Sequence, residues 1–158
     1  MSMDLMPKRK VYYDLVEANS ILPKLDFYFS ELSRIQRNVN NICRRAYVLG
    51  IDFNDGEVID LEEIDDPVTA YLARRLVELS EEYAEVMDKV VNLGIVIEDA
   101  DKGIVRIYSS IAGEEVFLSW QYGENTIKYY HDVYEDYLAR RPIRAKPAKY
   151  PSNDQVLH

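Results

Sequence analysis

The sequence is poor in the residues that most often carry chemistry or cross-links. It has one cysteine, Cys43, so no intrachain disulfide can form, and a reducing compartment fits. Its histidines are His131 and His158, the second being the last residue. Glycine and proline number only 6 each among 158 residues, which excludes collagen-like and low-complexity classes. No run reaches the ~18 apolar residues that a membrane span requires. The N-terminus places Asp4 and Pro7 in its short apolar part and Lys8, Arg9 and Lys10 after it, the reverse of a signal peptide. The expectation is a cytoplasmic protein without membrane contact. Nucleophile and phosphate-cradle patterns are also missing: there is no G-x-S-x-G, no G-x-x-x-x-G-K and no G-x-G-x-x-G, and Cys43 has no histidine near it in sequence.

What is present is an ordinary apolar fraction of 47%, a formal charge of −9 and abundant tyrosine, enough for one real core and too little for two full-sized ones. The charge is localised. From Ile51 to Asp66 there are eight acids and no lysine or arginine, so the rest of the chain is nearly neutral. From Leu138 to Tyr150 the reverse holds, with Arg140, Arg141, Arg144, Lys146 and Lys149 and no acid. An acidic body repels phosphate backbones, so nucleic acid is not an expected partner. The acidic connection resembles a calcium loop only loosely. With Asp52 first, Asn54 is third and Glu63 twelfth, but the glycine falls fifth instead of sixth, which breaks the turn.

Helical periodicity dominates the first two thirds. Asp14 with Glu17 three residues on has capping-box spacing, and Pro23 predicts a break and restart. Leu25, Tyr28, Leu32, Ile35, Val39, Ile42, Ala46 and Leu49 alternate steps of three and four, predicting a helix from Pro23 to Leu49 stopped by Gly50. A second helix starts with Asp66 as cap and Pro67 in the first turn, and runs through Leu72, Leu76, Leu79, Tyr83, Val86, Val90 and Leu93 to Gly94. The two predict a long antiparallel hairpin. Flanking apolar residues Phe27, Phe29, Val48, Ala73, Val77, Met87 and Val91 widen the stripe and imply a third packing surface, either a sheet or another copy of the chain.

After Gly94 the period falls to two. Ile95 to Ile97, Ile104 to Tyr108, Val116 to Tyr122 and Thr126 to His131 read as strands, with turns at 99–103, 112–114 and 123–125. Ile127, Tyr130, Tyr134 and Leu138 also fit helical spacing. The preferred reading is strand to His131, then a short helix from Val133 to Arg140 closed by Pro142 and followed by a mobile tail. The expected fold class is α+β, mainly α: a heptad-patterned helical hairpin with a small C-terminal antiparallel sheet. The expected domain is residues 11–143, with flexible termini at 1–10 and 144–158.

Three blocks then carry a resemblance. They are Glu17-Ala18-Asn19 with Leu22-Pro23; Leu93-Gly94-Ile95 with Asp99 and Gly103-Ile104-Val105; and Trp120, Gly123-Glu124, Ile127, Tyr130-His131 and Arg141-Pro142. In this order, from Val11 to Ile143, they resemble the small prokaryotic family known as domain of unknown function 2203. The resemblance implies a helical hairpin with a small β element and no established activity. This chain departs from the pattern in a longer acidic connection, in Arg106 where an acid is expected, in Ser119 where a cysteine often precedes the tryptophan, and in Tyr130 where a tryptophan usually precedes the histidine. The Arg106 change weakens any role that needs a carboxylate there.

Candidate site residues cluster around His131. With Glu124, Asp132 and Glu135 it is a weak candidate for a divalent metal, His131 and Glu135 sharing a face only in a helix. If the stretch is strand, His131 joins Ile127 and Tyr129 on one face and meets Trp120 or Tyr122 across the hairpin. The alternative is a histidine hydrogen-bonded among tyrosines for structure alone. Glu124, at a turn, suits a two-pronged bond from Arg140 or Arg141 that clamps the C-terminal segment. Eight of the 18 aromatics lie between Tyr108 and Tyr137, which fits an interface, a ligand pocket, or a thin sheet that needs large side chains. Two functions follow. The first is a self-associating structural or interaction module, a homodimer or higher homo-oligomer. The second is a metal- or small-ligand-dependent enzyme or sensor using His131, Glu124, Trp120, Tyr130, Arg140 and Arg141, with Glu17 or Asn19 added from the first helix. No specific cofactor is indicated.

Overall fold

Capping and proline chemistry fix where the helices begin. The structure, a computed structural model, describes residues 5–53 and 60–144. Helix α1, Leu15–Ser20, opens on the expected capping box: the Glu17 amide donates to Asp14 (2.7 Å) and the Asp14 amide to Glu17 (3.0 Å). The chain restarts as α2, Leu22–Val48, with Pro23 in the first turn, where a missing N–H costs nothing. Helix α3, Pro67–Asn92, starts behind Asp66, which accepts from the Thr69 amide (2.8 Å) and hydroxyl (2.7 Å). Helix accounts for about 49% of the described residues and the fold class is α+β.

Five strands follow in a meander of order β1-β2-β3-β4-β5, every pair antiparallel: β1 Ile95–Asp99, β2 Ile104–Ile111, β3 Glu114–Gln121, β4 Tyr129–Asp132 and β5 Arg141–Pro142. The β2–β3 turn is the two-residue Ala112-Gly113, both with positive φ (53° and 83°), the type I′ geometry that suits strand twist. Gly94 (φ 87°) lets α3 turn into β1. A Cβ there would lie 2.5 Å from Cβ of Val11.

Alternation sorts the sheet into two faces. Ile95, Ile97, Val105, Ile107, Val116, Leu118 and Trp120 share one face by register, and Phe29 of α2 meets it with its ring 6.1 Å from Trp120 and 6.2 Å from Tyr122. Val96, Tyr108 and Phe117 form a second apolar cluster on the opposite face, joined by Val133. Phe117 and Ser119 are therefore as buried as the residues between them. At the β1 edge the Ile97 amide donates to the Leu5 carbonyl (3.3 Å). Lys10 pairs with Glu115 (3.3 Å) and sits 5.2 Å from the Tyr108 ring centre.

By its internal contacts the chain divides into two compact units, Met1–Phe29 with Asp88–His158, and Ser30–Met87. In the second, Leu32, Ile35, Ile42, Ala46, Leu72, Ala73, Leu76, Leu79, Val86 and Met87 are buried, and Arg34 donates to both Glu31 (3.0 Å) and Glu82 (2.5 Å). These two acids hold the Arg34 guanidinium above its ordinary pKa.

Several expectations are corrected. Leu49 lies past the end of α2 and is 59% exposed, because the Gly50 and Ile51 amides already close the helix on Tyr47 and Ala46. Of the widened stripe, Phe29, Ala73, Met87 and Val91 are consumed within the chain, while Phe27 and Val48 remain exposed. The helix expected at Val133–Arg140 is a single 3-10 turn, Tyr137–Ala139, capped by Asp136 (3.1 Å to the Leu138 amide). So short a segment does not hold a helix against local capping. Pro142 does not start a tail: it lies in β5, and the Ile143 amide donates to Lys128 (2.7 Å). The middle of the acidic connection and the chain from 145 onward lie outside the described residues.

Three outcomes follow. Gly94→Ala combines left-handed strain with a clash on Val11 and is expected to cost on the order of 3 kcal/mol in urea denaturation. Ala112→Asn relieves a non-glycine residue at positive φ and is expected to gain about 0.5–1 kcal/mol in the same assay. Hydrogen bonds from the Thr69 side chain and amide hold the Asp66 carboxyl below its ordinary value. That contribution is complete above the unfolded pKa of about 3.9 and is lost as pH falls through the lower folded value. The melting-temperature deficit of Asp66→Ala should therefore be largest at neutral pH and vanish in strong acid.

Candidate functional site

The backbone between β3 and β4 builds the site before any side chain from the C-terminus arrives. Trp120 is fully buried and its indole N–H donates to the Glu124 carbonyl (2.9 Å). The Gln121 amide donates to Glu124 Oε1 (2.8 Å). The Glu124 carboxylate is thus set by the turn itself, its own residue tied down at both ends. Asn19 of α1 reaches the same loop, its Oδ1 accepting from the Ile127 amide (2.8 Å).

Arg140 completes the arrangement. It donates to both oxygens of Glu124 (3.1 and 2.7 Å) and to the Tyr137 hydroxyl (3.0 Å). Its guanidinium carbon lies 4.1 Å from the ring centres of Tyr129 and of Tyr137, with 14% of the side chain exposed. This is a forked carboxylate bond sandwiched by two aromatic rings, the geometry that a planar guanidinium satisfies and an ammonium does not. Arg141, the next residue, sits 5.1 Å from the Tyr130 ring centre and pairs with Asp132 (3.2 Å) and Glu135 (3.1 Å).

His131 is elsewhere in chemical terms. It is fully buried on β4, opposite Phe117, with ring centres 5.7 Å apart. Its Nδ1 lies 2.9 Å from the Asp132 carbonyl. A carbonyl only accepts, so Nδ1 carries a proton. The other ring nitrogen, Nε2, with Ser109 Oγ and Ser119 Oγ, makes no hydrogen bond among the described residues. The expected meeting of His131 with Trp120 or Tyr122 does not occur. Residues 122–128 loop out so that β4 starts opposite Ser119, which puts His131 and Trp120 on opposite faces. Among the described residues no three His, Cys, Asp or Glu side chains are grouped to hold a metal ion. Glu124 and Glu135, two of the weak metal candidates, are occupied by Arg140 and Arg141.

The remaining candidates separate. Glu17 is exposed and spends its carboxylate on the α1 cap. Burial, with a smaller push from Asp52, raises the Cys43 thiol, which opposes nucleophilic use. Sequence reasoning missed Tyr129 and Tyr137, the two walls around Arg140, and Glu98, which accepts from Arg106 (2.8 Å) and from the Tyr137 amide (3.0 Å). The available signal was the adjacency of tyrosines to the arginine pair. A groove of about 410 Å³ lies beside this layer, lined by Arg106, Val133, Tyr134, Glu135, Asp136 and Ala139.

Residues 11–143 match the model of the family described as uncharacterized conserved protein, domain of unknown function 2203, and the chain belongs to that family. No curated protein and no solved structure matches the chain. Among the described residues no helix is long and apolar enough to cross a membrane.

A double-mutant cycle of Glu124→Gln and Arg140→Met is expected to give a coupling of about 2 kcal/mol in chemical denaturation, because either single change strands a partly buried partner. Additive losses would assign the pair no mutual stabilisation.

Proposed function

We propose that this family member is a self-associating interaction module, and that α2 and α3 form a heptad-patterned antiparallel hairpin whose far end docks on a second copy. Within the unit Ser30–Met87, the Arg34–Glu82 bond sets the level of one helix against the other. Thirteen residues on from Arg34 is Tyr47, and thirteen back from Glu82 is Thr69. Both lie ~20 Å further along, at ~1.5 Å per residue. The neighbours of that level are Tyr47 (72% exposed), Val48 (81%), Leu49 (59%), Val68 (52%) and Tyr71 (56%).

That exposed apolar cluster is the observation that carries the reading. Isolated exposed apolar residues are ordinary, whereas five large ones at the end of one helical pair suit an interface centre. Charge complementarity favours a second copy as the occupant. The exposed face of α2 carries Arg37, Arg44 and Arg45, and α3 carries the exposed Glu81 and Glu85, Glu78 being paired with Arg75 (3.0 Å) and Arg74 being exposed as well. A two-fold pairing sets α2 of one protomer against α3 of its partner, so each basic row meets an acidic one. Of the seam, Leu32, Ile35, Ile42, Ala46, Leu72, Leu76, Leu79 and Val86 are buried within the chain and Val39 and Tyr83 half-buried, so the flanks offer a neighbour most of the exposed apolar surface.

Light scattering on the full chain at micromolar concentration tests this. The expected result is a dimer that weakens with salt, as charge-steered contacts do. Val48→Asp with Tyr71→Glu should raise the dissociation constant at least about tenfold, a loss of about 1.4 kcal/mol, with an unchanged circular dichroism spectrum. A wild-type monomer overturns self-association, and a dimer indifferent to both substitutions overturns this surface.

A further inference from the structure

Arg106 is fixed along one edge and against one face. Its Nε donates to Glu98 (2.8 Å), and its guanidinium carbon lies 5.5 Å from the Phe117 ring centre. Glu98 spends its other oxygen on the Tyr137 amide (3.0 Å), so one carboxylate ties Arg106 of β2 to the turn Tyr137–Ala139. The two terminal nitrogens of Arg106 make no hydrogen bond among the described residues. A planar fork held this way presents its remaining N–H groups in a set direction and loses little freedom on binding.

Arg106 is also the sheet's contribution to the groove of about 410 Å³, whose other lining residues, Val133 to Asp136 and Ala139, follow β4. Those walls are fixed too. Val133 packs on Val96, Tyr108 and Phe117. The Glu135 amide donates to the Asp132 carbonyl (3.0 Å), and Asp136 Oδ1 accepts from the Leu138 amide (3.1 Å). Two carboxylate oxygens on the walls remain unspent. Glu135 accepts from the Asp132 amide and from Arg141 with the same Oε1. Neither Glu135 Oε2 nor Asp136 Oδ2 accepts a hydrogen bond among the described residues, and no ion pair joins either acid to Arg106.

One groove thus holds a forked cation and two acids that do not close on one another. An anion alone is repelled by the acids and a cation alone by the arginine. A molecule with a carboxylate and an ammonium on one carbon satisfies both. A peptide carries these charges at opposite ends, so a free amino acid is the chemistry that fits. The volume lies near the lower end of the roughly 300–1,000 Å³ of small-molecule sites, which suits a ligand of that size. Val133, Ala139 and the Tyr134 ring, 97% exposed, supply apolar surface beside the charges.

We propose that this groove binds a free α-amino acid with an apolar side chain. The ligand carboxylate takes the terminal N–H groups of Arg106, and its ammonium donates to Glu135 and Asp136. Its side chain lies against Val133, Ala139 and Tyr134. The inference stands apart from hairpin self-association, since it uses no residue of Ser30–Met87.

Calorimetric titration of the full chain with L-leucine and with L-phenylalanine tests this. Each is compared with the amine that lacks its carboxylate and the acid that lacks its amine: isopentylamine and isocaproate, phenethylamine and hydrocinnamate. At least one amino acid is expected to bind saturably, and at least about tenfold more tightly than either of its one-charge analogues. Arg106→Lys keeps a charge for Glu98 but not the fork. Asp136→Asn keeps an oxygen for the Leu138 amide but not the charge. Each is expected to weaken binding at least about tenfold with an unchanged circular dichroism spectrum. If Arg106→Lys disturbs the fold, Asp136→Asn decides alone. The proposal is overturned if neither amino acid binds, if the analogues bind as tightly as their parents, or if a folded variant keeps wild-type affinity.

Discussion

A five-stranded sheet has two faces, and a chain of this length must cover both from what remains after the helices are made. That constraint explains most of the unit that contains the sheet. The face bearing Trp120 is aliphatic and is met by Phe29. The opposite face is met by short, irregular segments and is built differently, from Tyr108, Phe117, Arg106, Tyr129 and His131. Irregular segments bring unpaired backbone and charged side chains, so the layer beneath them has to be polar and aromatic to satisfy them.

The ion pairs of that layer show the trade. Glu98 and Arg106 are 17% and 24% exposed, and Glu124 and Arg140 are 24% and 14% exposed. A partly buried pair returns its desolvation cost only with good geometry and further hydrogen bonds. Both pairs have them: Glu98 also accepts from the Tyr137 amide, and Glu124 from the Gln121 amide. Arg106 also lies 5.5 Å from the Phe117 ring centre, and Arg140 lies between two tyrosines. Tyr137 links the pairs, through its amide to Glu98 and through its hydroxyl to Arg140 and Gln121 (2.7 Å to the latter). Loss of either pair is thus felt by the other through one residue, which makes the C-terminal segment a cooperative attachment, not a set of independent contacts.

What was legible in the sequence follows the strength of each periodic signal. The long helices announce themselves because burial at Leu25, Leu32, Ile35, Ile42 and Ala46 follows a spacing that strands cannot produce. The strands between glycine turns were legible in number and order, but β2 runs on to Ile111, three residues past the expected Tyr108, and β4 starts at Tyr129, three residues after the expected Thr126. The second face was not, because alternation through Val116, Leu118 and Trp120 reads as a one-sided strand, and Phe117 and Ser119 give no sign that a late segment will cover them. Strand β5 has two residues and no period at all. The site divides the same way. The Glu124 clamp was legible from a carboxylate at a turn with arginines downstream, whereas Tyr129 and Tyr137 acquire their roles only from register.

Register also decides what His131 can be. One residue of slip in β4 would turn its ring to the face of Trp120 and put Tyr130 under the C-terminal segment. In the observed register its Nδ1 proton is committed to the Asp132 carbonyl, its other nitrogen has no hydrogen-bond partner among the described residues, and Phe117 lies against its ring. Asp132 and Glu135, its neighbours in sequence, are drawn toward Arg141. Arginine, not histidine, therefore organises the acidic side chains of this region. The exposed tyrosine and leucine of the same segment, Tyr134 and Leu138, contribute nothing to that order. Arg140, Arg141, Glu135 and Asp136 are all engaged while Tyr134 and Leu138 face water, so the segment is held by polar contacts of defined geometry more than by burial of its largest apolar groups.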